Sequence, residues 1–313
     1  MLVDDEVPLF DRSALSRTYV FGNGKGGVGK TTLTSNIGGL AAEATPDASV
    51  LLVDVNGQGN IGRDLGYRKT GRDDEGEAMY EALRHGTPLV PIKDVRPGLD
   101  VVVGGRHVSA VPDMLQSTYR LAQRRQALAL AISLAPIAGQ YDLIGIDSAP
   151  ENPPLQQLAL AAARWLIAPT RTDRASINDG LGSIALQFDL VRRTVNPDLE
   201  LLGVVLFGSG QGSTSIRRRA LKWIAEELET DESIVFETFI RYAEGVGVDA
   251  RARGMLAHEL ERAVADNPRF WDIKAGRATS DHVVSATSGS VAEDLSDLAR
   301  EVFLRAAEWD RAA

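Results

Sequence analysis

Residues Gly24-Lys25-Gly26-Gly27-Val28-Gly29-Lys30-Thr31-Thr32 satisfy the spacing G-x-x-x-x-G-K-[ST], and each residue type has a chemical use there. Glycines let successive backbone N–H groups turn toward one centre without Cβ clashes. A helix that follows aims the positive end of its dipole at the same point. Such a loop binds phosphate. Lys30 would reach the β- and γ-phosphates of a nucleotide, and the Thr31 hydroxyl is placed to coordinate a Mg²⁺ bridging them. The motif needs a strand before it and a helix after it. Thr18-Tyr19-Val20-Phe21-Gly22 is an extended apolar run, and residues 32–43 have helical character. All nine loop residues, Gly24 to Thr32, are therefore expected at the nucleotide.

A carboxylate signal stands farther along. Tyr141-Asp142-Leu143-Ile144-Gly145-Ile146-Asp147 is an apolar run ending in an acid, the Walker B pattern, in which Asp147 can hold a water of the Mg²⁺ shell. An aspartate that merely caps the next helix has the same appearance, but a phosphate loop in the same chain favours the metal. Glu151 is either a second carboxylate for the reacting water or a solvated loop residue. Cysteine is absent, which excludes disulfides and thiolate-held zinc or iron–sulfur clusters. His85, His107, His258 and His282 show no ligand spacing.

These residues need a frame. Ser49-Val50-Leu51-Leu52-Val53-Asp54 reads as a strand buried on both faces, and with the first strand and helix it makes a right-handed βαβ unit. Further strands at 99–103, 164–168, 201–207 and 234–240 alternate with helices at 114–138, 175–195 and 216–229. Residues 60–98 are polar, with one short helix at 77–84. The alternation predicts an α/β fold, a doubly wound, mostly parallel sheet flanked by helices. At 313 residues and 44% hydrophobic the chain can bury a large core. We expect residues 1–17 to form a tail or leader helix and 18–313 a single domain. Leu295, Leu298, Val302, Ala306 and Trp309 recur at helical spacing, so a helix over 292–311 should pack back on the body.

Lys25 precedes Lys30 by five residues, giving K-G-G-V-G-K-T-T in a chain with only six lysines. This deviant loop resembles that of the ParA/MinD family of P-loop ATPases, in which the earlier lysine reaches across a two-fold axis to the phosphates in the partner subunit. The resemblance implies ATP, Mg²⁺ and a sandwich homodimer formed on ATP binding. Asp147-Ser148-Ala149-Pro150 resembles the family's D-T-P-P switch II, and Asp54-Val55-Asn56-Gly57-Gln58-Gly59-Asn60 its D-x-D-P-Q-G-N switch I. Asp54 thereby joins Thr31 and Asp147 around the metal. Two positions depart from the pattern. Asn56 stands where the family has the aspartate implicated in handling the attacking water, and Gly57 where it has proline. Asparagine cannot accept a proton at pH 7. Phosphoanhydride hydrolysis depends mostly on positioning and charge, so Asn56 is expected to orient water and to support slow hydrolysis. Trp165-Leu166-Ile167-Ala168-Pro169-Thr170 is similar to the family's strand-proline segment. Phe239-Ile240-Arg241-Tyr242 resembles its adenine-side loop, which makes Arg241 a nucleotide-binding candidate.

Family members differ in what the ATP-bound dimer grips. The MinD-type membrane grip is a basic amphipathic C-terminal helix, whereas residues 292–311 hold six acids against three arginines, which anionic lipid would repel. Arg217, Arg218, Arg219 and Lys222 open a helix where positive charge opposes the macrodipole, at a cost of about 0.3–1 kcal/mol per charge. An anionic partner would offset that cost. ParA-type relatives bind DNA without sequence preference through basic residues in this region, and Arg192 and Arg193 extend the patch. With a net charge of −9, DNA contact must be local. The start of the chain lacks the basic residues of a signal peptide. The reading is a cytoplasmic partition ATPase, nucleoid-associated when ATP-bound, stimulated by a ParB-like partner. A nucleotide-gated module with little hydrolysis and a P-loop metabolic enzyme are the alternatives.

Overall fold

Three of the central parallel strands, β2 (Val50–Val55), β5 (Leu143–Ser148) and β6 (Trp165–Thr170), are buried at every residue, as is the shorter strand Leu99–Val102, as expected where helices cover both faces of a parallel sheet. The computed structural model describes residues 7–210, 212–241, 243–265, 267, 268, 274, 277 and 287–312. Besides those three, the strands are β1 (Thr18–Phe21), β3 (Ile92–Arg96), β4 (Leu99–Val102), β7 (Glu200–Ser209) and β8 (Ile240–Arg241). They form one eight-stranded sheet in the order β3-β4-β2-β5-β1-β6-β7-β8. Only the edge pair β3–β4 is antiparallel among the paired strands. The β2–β5 register sets Asp54 beside Asp147, and the β1–β5 register sets Phe21 beside Asp147.

The helices are α1 (Lys30–Ala42), α2 (Asn60–Asp64), α3 (Glu77–His85), α4 (Arg106–Ser109), α5 (Val111–Thr118), α6 (Gln123–Ala138), α7 (Pro153–Ala161), α8 (Gly182–Thr194), α9 (Thr214–Glu227), α10 (Glu244–Arg253), α11 (Ala257–Val264) and α12 (Ser288–Ala312). On one face of the sheet Leu130 and Leu134 of α6 pack with Leu155 and Leu158 of α7. On the other, Leu33 and Ile37 of α1 pack with Leu295, Leu298 and Val302 of α12. Trp165 is fully buried, with Trp309 edge-on at 6.0 Å between ring centroids. No helix among the described residues is long and apolar enough to cross a membrane.

Several elements differ from the sequence-based expectation. The strand expected at 234–240 reduces to Ile240–Arg241 and one bridge from Val235 to Val204. The intervening Glu237 and Thr238 N–H groups donate to the Glu301 carboxylate of α12 at 2.7 and 3.0 Å, so they are spent on a side chain instead of a neighbouring strand. The helix expected at 114–138 is two, α5 and α6. Tyr119 leaves the helical region (φ −114°, ψ 45°), and its carbonyl accepts from the Gln126 side chain at 2.6 Å. The helix expected at 175–195 opens with a π-helical segment, Ser176–Leu181, before α8. Residues 60–98 hold α2 and the edge strand β3 besides α3, and α7 starts from Asn152, whose side chain accepts from the Leu155 N–H. At the N-terminus Arg12–Leu15 is a short 3-10 turn.

Candidate nucleotide and metal site

The phosphate loop leaves the end of β1 and enters α1 through Gly29, whose φ is +97°. A Cβ at Gly29 would also meet the Phe207 ring at 2.4 Å, so backbone and packing both require glycine here. Neighbouring elements hold the loop along its outer side. Buried Asn23 donates to the Pro169 carbonyl at 2.8 Å and accepts from the Lys25 N–H at 2.7 Å. Gly24 N–H donates to Gly180 O at 3.0 Å. Arg171 donates through Nε and Nη2 to Gly27 O at 3.1 and 3.0 Å. The end of β6 and the π-helical segment thus bracket the loop.

Lys30 is buried, and its Nζ donates to Lys25 O at 2.6 Å. Desolvation lowers its pKa to about 8, against the opposing pull of Asp147 and Glu151. Lys25 lies on the rim, with its Nζ 3.4 Å from Asp179 Oδ2.

Thr31 Oγ1 donates to Asp147 Oδ2 at 2.6 Å. Asp147 and Asp54 are both fully buried, and Oδ1 of each has no hydrogen-bond partner. Asp54 Oδ2 accepts from Ile61 N–H at 3.1 Å, and a Cβ at Gly104 would meet the Asp54 Cγ at 2.5 Å, so the chain passes close over this carboxylate. Burial raises the Asp147 pKa to about 7, and burial together with repulsion from Asp147 holds Asp54 well above the carboxylate range. Two dry carboxylates with unused oxygens beside a hydroxyl form a hard-oxygen donor set that fits a partly hydrated Mg²⁺.

Asn56 is buried, and its Oδ1 accepts from Gln58 N–H at 3.0 Å while its carbonyl accepts from Gly59 and Gly105 N–H. The amide is therefore fixed at the turn after β2. At Gly57 a Cβ would lie 1.9 Å from Ser109 Oγ and 3.2 Å from its Cβ, so a side chain there would require Ser109 to rotate away. Glu151 takes a positive φ of 52° and donates its N–H to Gly24 O at 3.0 Å, which sets it beside the phosphate loop.

Beside the loop opens a cavity of about 440 Å³, lined by Gly29, Thr32, Asn36, Phe207, Ile240 and Val246, with Arg171, Arg241 and Asp64 also on its wall. Arg241 donates through Nε and Nη2 to Asp294 at 2.7 and 2.6 Å, so it meets the cavity as an ion pair. Tyr242 lies outside the described residues. Away from this site, Arg217 of α9 lies over the Phe239 ring at 3.9 Å and donates to Gly210 O at 2.9 Å. Arg218, Arg219 and Lys222 are exposed. Arg219 and Arg174 both approach the Trp223 ring, at 5.2 and 5.4 Å. Arg192 pairs with Glu200 and Arg193 with Asp189. The fold thus gathers Lys25, Lys30, Thr31, Asn56, Asp54 and Asp147 in one region and leaves the α9 cations on a separate surface. Asn23, Arg171, Asp179 and Asp64 were not singled out from the sequence. A lone loop arginine or aspartate carries no local signal, because its partner comes from a distant strand or helix.

A family model described as an AAA domain matches residues 16–201, which contain the phosphate loop, Asn56 and Asp147. The chromosome partitioning protein ParA of Caulobacter vibrioides is 34% identical over 192 residues, covering 61% of this chain and 68% of that protein. The chain belongs to the ParA family. The Myxococcus xanthus ParA is 33% identical over 195 residues, 62% of this chain and 65% of that protein, so the shared part spans about two thirds of these relatives' length. Among solved structures, a McdA–ATP complex from Cyanothece superposes with a TM-score of 0.66 over 78% of this chain and 90% of that one, at 20% identity. It shares the P-loop fold. A cobyrinic acid a,c-diamide synthase from Mycobacterium smegmatis with bound ATP analogue and magnesium is 25% identical, with a TM-score of 0.61 over 83% of this ParA-family chain and 97% of its own.

Proposed function

We propose that this ParA-family chain is a partition ATPase that binds Mg·ATP, pairs into a sandwich dimer, grips DNA without sequence preference, and lets go when a ParB-like partner stimulates hydrolysis. The observation that carries the reading is the Thr31–Asp147 hydrogen bond beside two buried carboxylates with unused oxygens, at the entrance of the phosphate loop. Thr31, Asp147 and Asp54 are the residues that would hold Mg²⁺, which when bound supplies positive charge to the phosphate oxygens. Lys30 turns from Lys25 O to the β- and γ-phosphates. Lys25 exchanges Asp179 for a phosphate in the partner subunit. Asn56 orients the attacking water without taking its proton. The exposed Arg218, Arg219 and Lys222 contact DNA phosphates, so affinity falls steeply with salt. Location is cytoplasmic, on the nucleoid when ATP is bound.

The test is retention on nonspecific DNA with ADP, ATP and a nonhydrolysable analogue across a salt series. Retention with ATP and the analogue, decreasing with salt, is expected; equal retention in all three states would refute the nucleotide switch. Asn56 favours a second reading, a nucleotide-gated module with little turnover. Single-turnover hydrolysis by the wild type with and without DNA separates the two: measurable turnover supports the ATPase, and none supports the gate. The likeness to the diamide synthase keeps a metabolic role in view, and ATP-dependent DNA retention would argue against it.

A further inference from the structure

At the crest of the phosphate loop Val28 is buried, but the two glycines before it are exposed. A Cβ built at Gly27 would meet nothing within 4 Å, and one at Gly26 only Pro150 at 4.0 Å. Gly27 also takes a positive φ of 72°, which glycine adopts about as readily as a negative one, so sterics alone do not choose which way the adjoining peptide faces. The two convergent donors of Arg171 meet its carbonyl oxygen. In a planar trans peptide the C=O of Gly27 and the N–H of Val28 point in opposite directions. A clamp that holds the carbonyl toward the loop after β6 therefore keeps the Val28 N–H turned the other way, toward the anion. The backbone that carries the arginine is itself held in place. It follows Thr170, the buried end of β6, and Asp173 two residues on accepts from Ser176 N–H and Oγ, both at 2.8 Å, which anchors the loop to the π-helical segment.

We propose that Arg171 is a positioning residue of the phosphate loop: its guanidinium fixes the Gly27–Val28 peptide so that the loop's N–H groups are already aimed when a nucleoside di- or triphosphate arrives. This rests on the nucleotide reading above. It assigns to a residue outside the G-x-x-x-x-G-K-[ST] motif part of the loop's affinity, through preorganisation and not through a contact with the base.

Titration calorimetry with ATP, ADP and adenosine on the full chain, as wild type, Arg171→Ala and Arg171→Lys, tests it. Arg171→Ala should weaken ATP and ADP alike by about three- to tenfold, the range of one net hydrogen bond lost at an exposed position. Adenosine binding should not change. Arg171→Lys should recover little, because a single ammonium cannot supply two convergent donors from a planar fork. The melting temperature of the nucleotide-free protein, measured in parallel, should be the same for all three, since the side chain is exposed. Full recovery by lysine would overturn the proposal in favour of simple charge attraction. An equal loss for adenosine would overturn it in favour of a base contact, and unchanged ATP affinity in Arg171→Ala would overturn it outright. If wild type binds no nucleotide, it is the underlying reading that fails.

Discussion

Lys30 shows how burial sets the working range of a single charge. Its folded-state pKa of about 8 lies below the ordinary value of 10.5, so between those two values the unfolded chain holds a proton that the ligand-free fold does not. The ligand-free fold therefore gains stability as pH rises across that window. Nucleotide binding has the opposite dependence, because phosphate needs the ammonium form. ATP affinity should fall above pH 8, approaching about tenfold per pH unit, and calorimetry near pH 9 in buffers of different ionisation enthalpy should record proton uptake. Asp64 is the carboxylate counterpart. Burial on the cavity wall raises its pKa to about 6, above the ordinary 3.8, with Arg251 opposing at 4.0 Å. The native state then binds the extra proton, and stability falls as pH rises from about 4 to 6. Asp64→Asn should abolish that loss, gaining on the order of 2–3 kcal/mol over wild type between pH 4 and pH 8 in parallel denaturant melts.

At the scale of elements, α9 carries Arg218, Arg219 and Lys222 exposed while Ile224 is buried and Trp223 is half-buried. Because these cations lie on the solvent face, reversing one should change binding and leave folding intact. Arg218→Glu should cut ATP-dependent DNA retention by tenfold or so at low salt and flatten the salt dependence, with the melting temperature within about a degree of wild type. A shift in DNA sequence preference would indicate base contacts instead. Arg217 belongs to a different group. Its place over Phe239 ties the start of α9 to the segment before β8, so its loss should act first on stability.

For the whole molecule, Lys25 makes the sharpest distinction. On a single chain it sits at the rim, near Asp179, while Lys30 occupies the loop's interior. Lys25→Ala should leave ADP affinity within about twofold, yet remove ATP-dependent dimerisation in light scattering and, with it, DNA retention. If dimerisation survives the substitution, the two-fold sharing of lysines is wrong. Reciprocity adds a check that does not depend on the variant: DNA that favours the dimer must tighten ATP binding by the same factor.

The sequence by itself determined the phosphate loop, the strand that carries Asp147 near its end, the alternation of strands and helices and the apolar stripe of α12, because each rests on local spacing and periodicity. Tertiary structure alone decided what those residues meet. The register of β2 against β5 paired Asp54 with Asp147, a relation between positions far apart in the chain. Glu301 of α12 took the N–H groups of Glu237 and Thr238 and so cut short a strand whose sequence pattern was sound. Arg171 became part of the loop only because β6 ends beside it. Backbone periodicity is a short-range property, whereas burial, pairing and charge partners are set by segments that meet only once the sheet has closed.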